Sequence, residues 1–250
     1  MRRLMGGVAS SLFVLIAVAA ASTPAGAAKP GGGGKPTTTT SSSTTSSSTT
    51  STTAAAGRDP ILFVHGWNSS GTVWTTMIDR FKGDGYTDAQ LTNWSYDTSQ
   101  SNKTTAAQIA QQVDAIRSRT GAAKVDIISH SMGGLSSRWY AKFVTGGQAD
   151  LDDWVSLGGP NHGTDTANFC FSTACSEMRI GSTFLAELNA GDESPGTVNY
   201  LTWWSPCDSV INPDSSVSVA GARNTQTGCL GHSDLYLDAG VYAQVRDAIR

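Results

Sequence analysis

VDIISHSMGGL, residues 125–135, is the stretch from which the rest of the chain can be read. Val125, Ile127 and Ile128 form a short β-branched run, which suits a buried strand. After Gly133 and Gly134, Leu135, Trp139 and Phe143 recur at i, i+4 and i+8, the spacing of one helix face. Ser131 falls between the two. A serine on a tight strand-to-helix turn projects its hydroxyl from the end of a sheet, and small residues on either side let the two backbones approach. The pattern is GxSxG with Ser129 in place of the first glycine, a small residue that is accommodated at the expense of some strain at the turn. Ser131 is therefore the candidate nucleophile.

Working outward, apolar runs at 61–65, 124–129 and 154–157 read as strands, with later strands at 198–204 and 217–220. A helix over 104–119 carries Ile109, Val113 and Ile116 on one face. Alternating strands and helices predict an α/β fold, a compact, mostly parallel central sheet flanked by helices on both faces. In such sheets chemistry gathers at the carboxyl ends of the strands.

The chain has 250 residues, and the first 57 hold four basic residues and no acidic one. Residues 58–250 hold 13 basic and 20 acidic residues, a formal charge of −7 that excludes a nucleic-acid binder driven by phosphate contacts. Arg2 and Arg3, the ten apolar residues 12–21, and Ala25 and Ala27 read as a signal peptide over 1–27, too short to span a bilayer. Residues 28–57 are a Gly/Ser/Thr-rich linker in which all 17 residues from 37 to 53 are Ser or Thr, a composition expected to stay disordered. All seven Trp and all four Cys follow it, so 58–250 is expected to be one domain, secreted and without a transmembrane segment once mature. With no CxxC or clustered His beside them, the cysteines read as two disulfides, not as a metal site.

A serine nucleophile needs a base, and the base needs a group that fixes its tautomer. On this topology the acid and the histidine follow the serine in that order. His232, in CLGHSD before the last helix, is the expected base; His162, in GGPNHGT, comes too early and is assigned to shaping the cleft. His65 and His130 precede the serine and read as structural residues beside the site. The acid is expected on the loop after a late strand, where Asp208 fits best and Asp214 is the alternative. A Cys207–Cys229 bridge would tie the acid loop to the histidine loop, worth about 3 kcal/mol for a 22-residue separation in the chain-entropy model. Cys170 and Cys175 would then close a small loop, one of three possible connectivities. Donors for an oxyanion are expected at the backbone N–H of Met132 and, after the first strand in HGW, of Trp67.

PILFVHGW, VDIISHSMGGL, VSLGGPNHGT, CDSVINP and GHSDLY together resemble the small secreted bacterial lipases of the α/β-hydrolase superfamily, of the class 2, triacylglycerol-lipase type, over essentially all of 58–250. The resemblance implies a minimal hydrolase with six parallel strands and little or no lid. It implies Ser131, Asp208 and His232 as triad, Trp67 and Met132 as oxyanion donors, and hydrolysis of carboxylic esters through an acyl-enzyme without a cofactor or metal. Departures are the Ser/Thr tether, the four cysteines, and Trp67 where a smaller aliphatic residue usually follows HG, which affects the shape of the acyl pocket. The partners expected are a lipid or other ester and, transiently, a lipid–water interface, with the protein a monomer. A polyester depolymerase is the alternative. The reading from another class is a non-catalytic polymer-binding protein presenting Trp67, Trp74, Trp203 and Trp204.

Overall fold

The computed structural model describes residues 57–249. The expected signal peptide, and the linker apart from Gly57, lie outside the described residues. Six strands form one parallel sheet: β1 (Ile61–Val64), β2 (Leu91–Trp94), β3 (Val125–His130), β4 (Leu151–Leu157), β5 (Asn199–Trp204) and β6 (Arg223–Gln226), in the order β2-β1-β3-β4-β5-β6. Parallel strands are joined by helices, here α1 (Thr75–Gly83), α2 (Asn102–Thr120), α3 (Gly133–Phe143), the short α4 (Gly147–Asp150), α5 (Thr173–Met178), α6 (Thr183–Leu188) and α7 (Ala239–Ala248). No helix among the described residues is long and apolar enough to cross a membrane.

Every residue of β1 and β3 is buried, as expected for central strands covered on both faces. Successive side chains point to opposite faces, so each strand feeds two cores. Leu62, Val64 and Ile127 join Ile109, Val113 and Ile116 of α2 and Leu135 and Trp139 of α3 on one face. Ile61, Phe63 and Ile128 join Met77 and Phe81 of α1 and Val241 and Val245 of α7 on the other. The α/β-hydrolase expectation thus holds, with helices on both faces. Of the stripe read on α3, Leu135 and Trp139 are buried and Phe143 is exposed at the helix end.

One predicted strand is absent. Residues 217–220 lie in and after the 3-10 turn Asp214–Val217, and the sheet edge is formed by Arg223–Gln226. Val217 and Val219 are buried, which explains the apolar signal, but their backbones bond to side chains: Asn161 Nδ2 donates to the Val217 carbonyl, and Asn224 bonds both the N–H and the carbonyl of Val219. The two edge strands escaped the reading because an edge has a solvent-facing side and no need of an apolar run. Among the residues of β6 none is buried.

At the amino ends of the strands, opposite the end where ligands bind, Asp126 and Asp153 are buried side by side, with Asp126 accepting from the Asp153 N–H at 3.1 Å. Burial pushes the Asp153 carboxyl up to about 6 against the hydrogen bond from Asn199, with Asp152 and Asp59 adding repulsion; burial raises Asp126 in the same direction. A carboxyl raised on folding contributes stability that is complete below its unfolded value, about 3.9, and is lost as pH rises through the folded value. Asp153→Asn, which keeps an oxygen for Asn199, should leave the melting temperature near wild type at pH 4 and raise it by several degrees at pH 7.5. An equal difference at both pH values, followed by thermal unfolding, would count against this.

Candidate active site

The carboxyl end of β3 and the start of α3 are joined by Ser131, which has φ +55°. That left-handed conformation is uncommon for a residue with a Cβ and costs on the order of 1 kcal/mol or more. The surroundings impose it. Ser131 N–H donates to the Leu157 carbonyl at 2.9 Å, and its own carbonyl accepts from Gly134 N–H at 2.9 Å. The glycines are there for close approach: a Cβ on Gly133 would lie 2.5 Å from the Val64 oxygen and 2.6 Å from the His65 oxygen, and one on Gly134 would lie 2.7 Å from Ser156 Oγ. Ser129 carries none of the strain expected of it. It is buried within β3, and its hydroxyl donates to the Val155 carbonyl at 2.7 Å. Because α3 begins at Gly133, the Met132 N–H stands at the helix N-terminus, where amides lack an intrahelical acceptor.

His232 opens a 3-10 turn, His232–Tyr236, between β6 and α7. Its Nδ1 lies 2.7 Å from Asp208 Oδ2, and Asp208 Oδ1 accepts from the N–H groups of Val210 at 2.9 Å and Ile211 at 3.1 Å. Burial works to raise the Asp208 carboxyl, and these bonds, His232 first, outweigh it, so the group is held below the ordinary carboxylate range and stays ionised. Disulfides join Cys207 to Cys229 and Cys170 to Cys175. Ser205 Oγ accepts from Leu230 N–H at 2.8 Å beside the first of them, a further tie between the two loops. Sequence reasoning overlooked Gly158: with φ +57°, it passes so close that a Cβ would sit 3.2 Å from Asp208 Oδ2 and 3.3 Å from His232 Cε1.

Asp214, the alternative acid, begins the turn Asp214–Val217 and makes no hydrogen bond to a histidine among the described residues. His162 does not line the cleft as expected; its Nε2 lies 3.0 Å from Glu193 Oε1. His65 is buried, its ring stacked on Tyr96 at 4.2 Å. Its Nε2 accepts from Tyr96 N–H at 3.4 Å, so Nδ1 carries the hydrogen and donates to the Gly66 carbonyl at 2.9 Å, while Tyr96 Oη donates to the His65 carbonyl at 2.5 Å. Tyr96, which nothing in the sequence singled out, thereby braces the HGW loop. Gly66 presses that loop onto the serine, since a Cβ there would lie 2.8 Å from Ser131 Cβ.

Ser131, His130 and His232 open into one cleft of about 360 Å³. Its walls include Ala167, Met178, Val210 and Ile211, its rim Trp67, Phe169 and Tyr236, and among the described residues no Asp, Glu, Lys or Arg lines it. The loop closed by Cys170–Cys175 is pinned by Arg179, which donates to the carbonyls of Ala167 at 3.2 Å and Cys170 at 2.8 Å. Phe169, just before it, and Phe171, within it, are 84% and 88% exposed. Trp74 and Trp203 are buried and Trp204 half-buried, so the tryptophans form no binding stripe.

Residues 58–229 match the family model described as Lipase (class 2). Among solved structures, the mature form of the Bacillus licheniformis lipase BlEst2 superposes with a TM-score of 0.70 at 17% identity, covering 78% of this chain and 94% of that one. Aspergillus fumigatus lipase B superposes with a TM-score of 0.66 at 18% identity, covering 78% of this chain and 53% of the other, so the chain spans about half of that enzyme. At such identities the structural likeness speaks for the fold, while the family match takes in most of the chain. The chain belongs to the class 2 lipase family.

Proposed function

We propose that the protein is a secreted serine hydrolase that cleaves neutral lipid esters through an acyl-enzyme. The observation that carries the mechanism is the 2.7 Å contact between His232 Nδ1 and Asp208 Oδ2 beside a serine on a left-handed turn in the same cleft. In this scheme Ser131 Oγ attacks the ester carbonyl while His232 Nε2 takes its proton. The oxyanion accepts from the N–H groups of Met132 and Trp67. His232 then protonates the leaving alcohol, and a water, deprotonated by the same imidazole, releases the acid and restores Ser131. Asp208, ionised, orients the ring and stabilises the imidazolium.

A neutral, apolar substrate is favoured by the cleft. A charged acyl chain would be desolvated against a lining without a counter-charge. Residues 166–176, which carry the exposed Phe169 and Phe171, likewise contain no charged residue. That bare aromatic pair also suits a polyester surface, the second reading, and hydrolysis rates on a triacylglycerol emulsion and a polyester film separate the two. Secretion is supported by the two disulfides together with the N-terminal pattern.

Ser131→Ala should lower kcat on p-nitrophenyl butyrate by several orders of magnitude with an unchanged circular dichroism spectrum, and Asp208→Asn by about 10³- to 10⁴-fold, because the imidazole loses its tautomer. More than a tenth of wild-type activity in Ser131→Ala would place the nucleophile elsewhere. Against the same ester with a carboxylate at the end of the acyl chain, kcat/KM should favour the neutral ester at least about tenfold. Equal values would remove the basis for a neutral substrate. The Cys207→Ser, Cys229→Ser double variant should keep native far-UV dichroism at room temperature, melt several degrees lower and lose most of its kcat, since the acid and base loops lose their covalent tie. Unchanged kcat would show that the hydrogen bonds alone hold the pair.

A further inference from the structure

Of the two buried histidines beside the site that the proposed mechanism leaves unused, His65 and His130, the second bonds to the base. His130, the last residue of β3, is 6% exposed and immediately precedes Ser131. Its Nε2 lies 3.0 Å from the backbone carbonyl oxygen of His232. A carbonyl only accepts, so Nε2 carries the hydrogen and the neutral ring is the Nε2–H tautomer. The ring also packs against that of His232, centroids 4.4 Å apart at 46°, and stands edge-on to Tyr236 at 4.7 Å.

The position of that bond gives it its meaning. The His232 side chain is held by Asp208, but its peptide belongs to a 3-10 turn on the connection from β6 to α7 and pairs with no strand. The turn closes on itself, with Gly231 N–H donating to Asp234 Oδ2 at 3.0 Å and Asp234 N–H to the Gly231 carbonyl at 3.0 Å. The His130 bond instead runs from the turn to the strand that ends in the nucleophile. The ionisable groups around it are His232, Asp208, His65 and Tyr236, and burial, followed by repulsion from His232, holds His130 down at about 3. It therefore stays neutral and adds no second positive charge when His232 takes up the serine proton.

We propose that His130 is a positioning residue: its Nε2–H bond to the His232 carbonyl sets the spacing between the base and the serine elbow. The proposal rests on Ser131, Asp208 and His232 having the roles given above. Glutamine carries its amide nitrogen about as far from Cα as the histidine Nε2, whereas asparagine's is closer, near Nδ1, and phenylalanine fills the ring's space without a donor.

His130→Phe and His130→Asn should lose about 10- to 100-fold in kcat, the scale of an ångström of misplacement, with KM within about twofold. His130→Gln should recover at least about a third of wild-type kcat. A residue that only fills space gives the reverse order, with Phe best. The proposal is overturned by His130→Phe at wild-type kcat, or by a folded His130→Gln as slow as His130→Asn; if the Phe variant does not fold, the Gln and Asn pair decides. Nitrogen-15 chemical shifts of the imidazole in the wild-type protein read the tautomer directly, and an Nδ1–H ring at His130 would overturn it as well. Ser131→Ala and His232→Ala, assayed alongside, separate the two levels. If both are inactive while His130→Phe is fully active, only the positioning role fails; if His232→Ala is active, the assignment of the base fails with it.

Discussion

How closely the start of α3 can approach the end of β1 governs everything built at the carboxyl end of this sheet. The Val64 and His65 carbonyls stand where a Cβ of residue 133 would lie, and Ser156 Oγ stands where one of residue 134 would. With hydrogens at both positions the helix packs down onto the strands, and Ser131 is forced to φ +55° with its amide bonded to Leu157 of the neighbouring strand. The strain is local and the core supporting it is large: β1 and β3 are buried along their whole length, and two apolar clusters cover the two faces of the sheet. A turn of this kind persists because the surrounding packing over-determines it.

The proposed acid and base, Asp208 and His232, are held differently. They sit on long connections after β5 and β6, where Leu235 anchors the histidine turn in the core and polar contacts and one disulfide hold the rest of the backbone. Asp208 has two backbone donors on one oxygen and His232 on the other, so its charge is neutralised by hydrogen bonds within a buried setting. Removing one partner from such a set leaves a buried charge under-solvated, and sites of this kind fail abruptly when disturbed. Tyr96 does the equivalent for the HGW loop through the carbonyl of His65. The cleft between these braced loops is largely apolar and, among the described residues, is lined by no Asp, Glu, Lys or Arg.

Much of this could be read from the residues in order. The strand, serine and glycine pair at 125–134 carried the elbow, Ile109, Val113 and Ile116 the long helix, and the PILFVHGW run the first strand, because buried central strands and amphipathic helices impose local periodicity. The edge strands β2 and β6 did not show, and the apolar residues 217–220 were mistaken for one of them: burial of Val217 and Val219 is satisfied by side-chain hydrogen bonding in a turn as well as by a ladder. The cleft-shaping role given to His162 was likewise undone by Glu193, 31 residues away in sequence.

The sequence by itself determined the fold class, the elbow that holds the proposed nucleophile and the order of candidate residues, since each depends on neighbours within a few positions. Only the tertiary structure decided which carboxylate meets His232, which cysteines pair, why residue 158 is glycine, and that His130 and Tyr96 grip backbone carbonyls far along the chain. Apart from the Cys170–Cys175 bridge, those contacts join residues separated by 22 to 102 positions, and no local pattern encodes which distant carbonyl or side chain the fold will bring together.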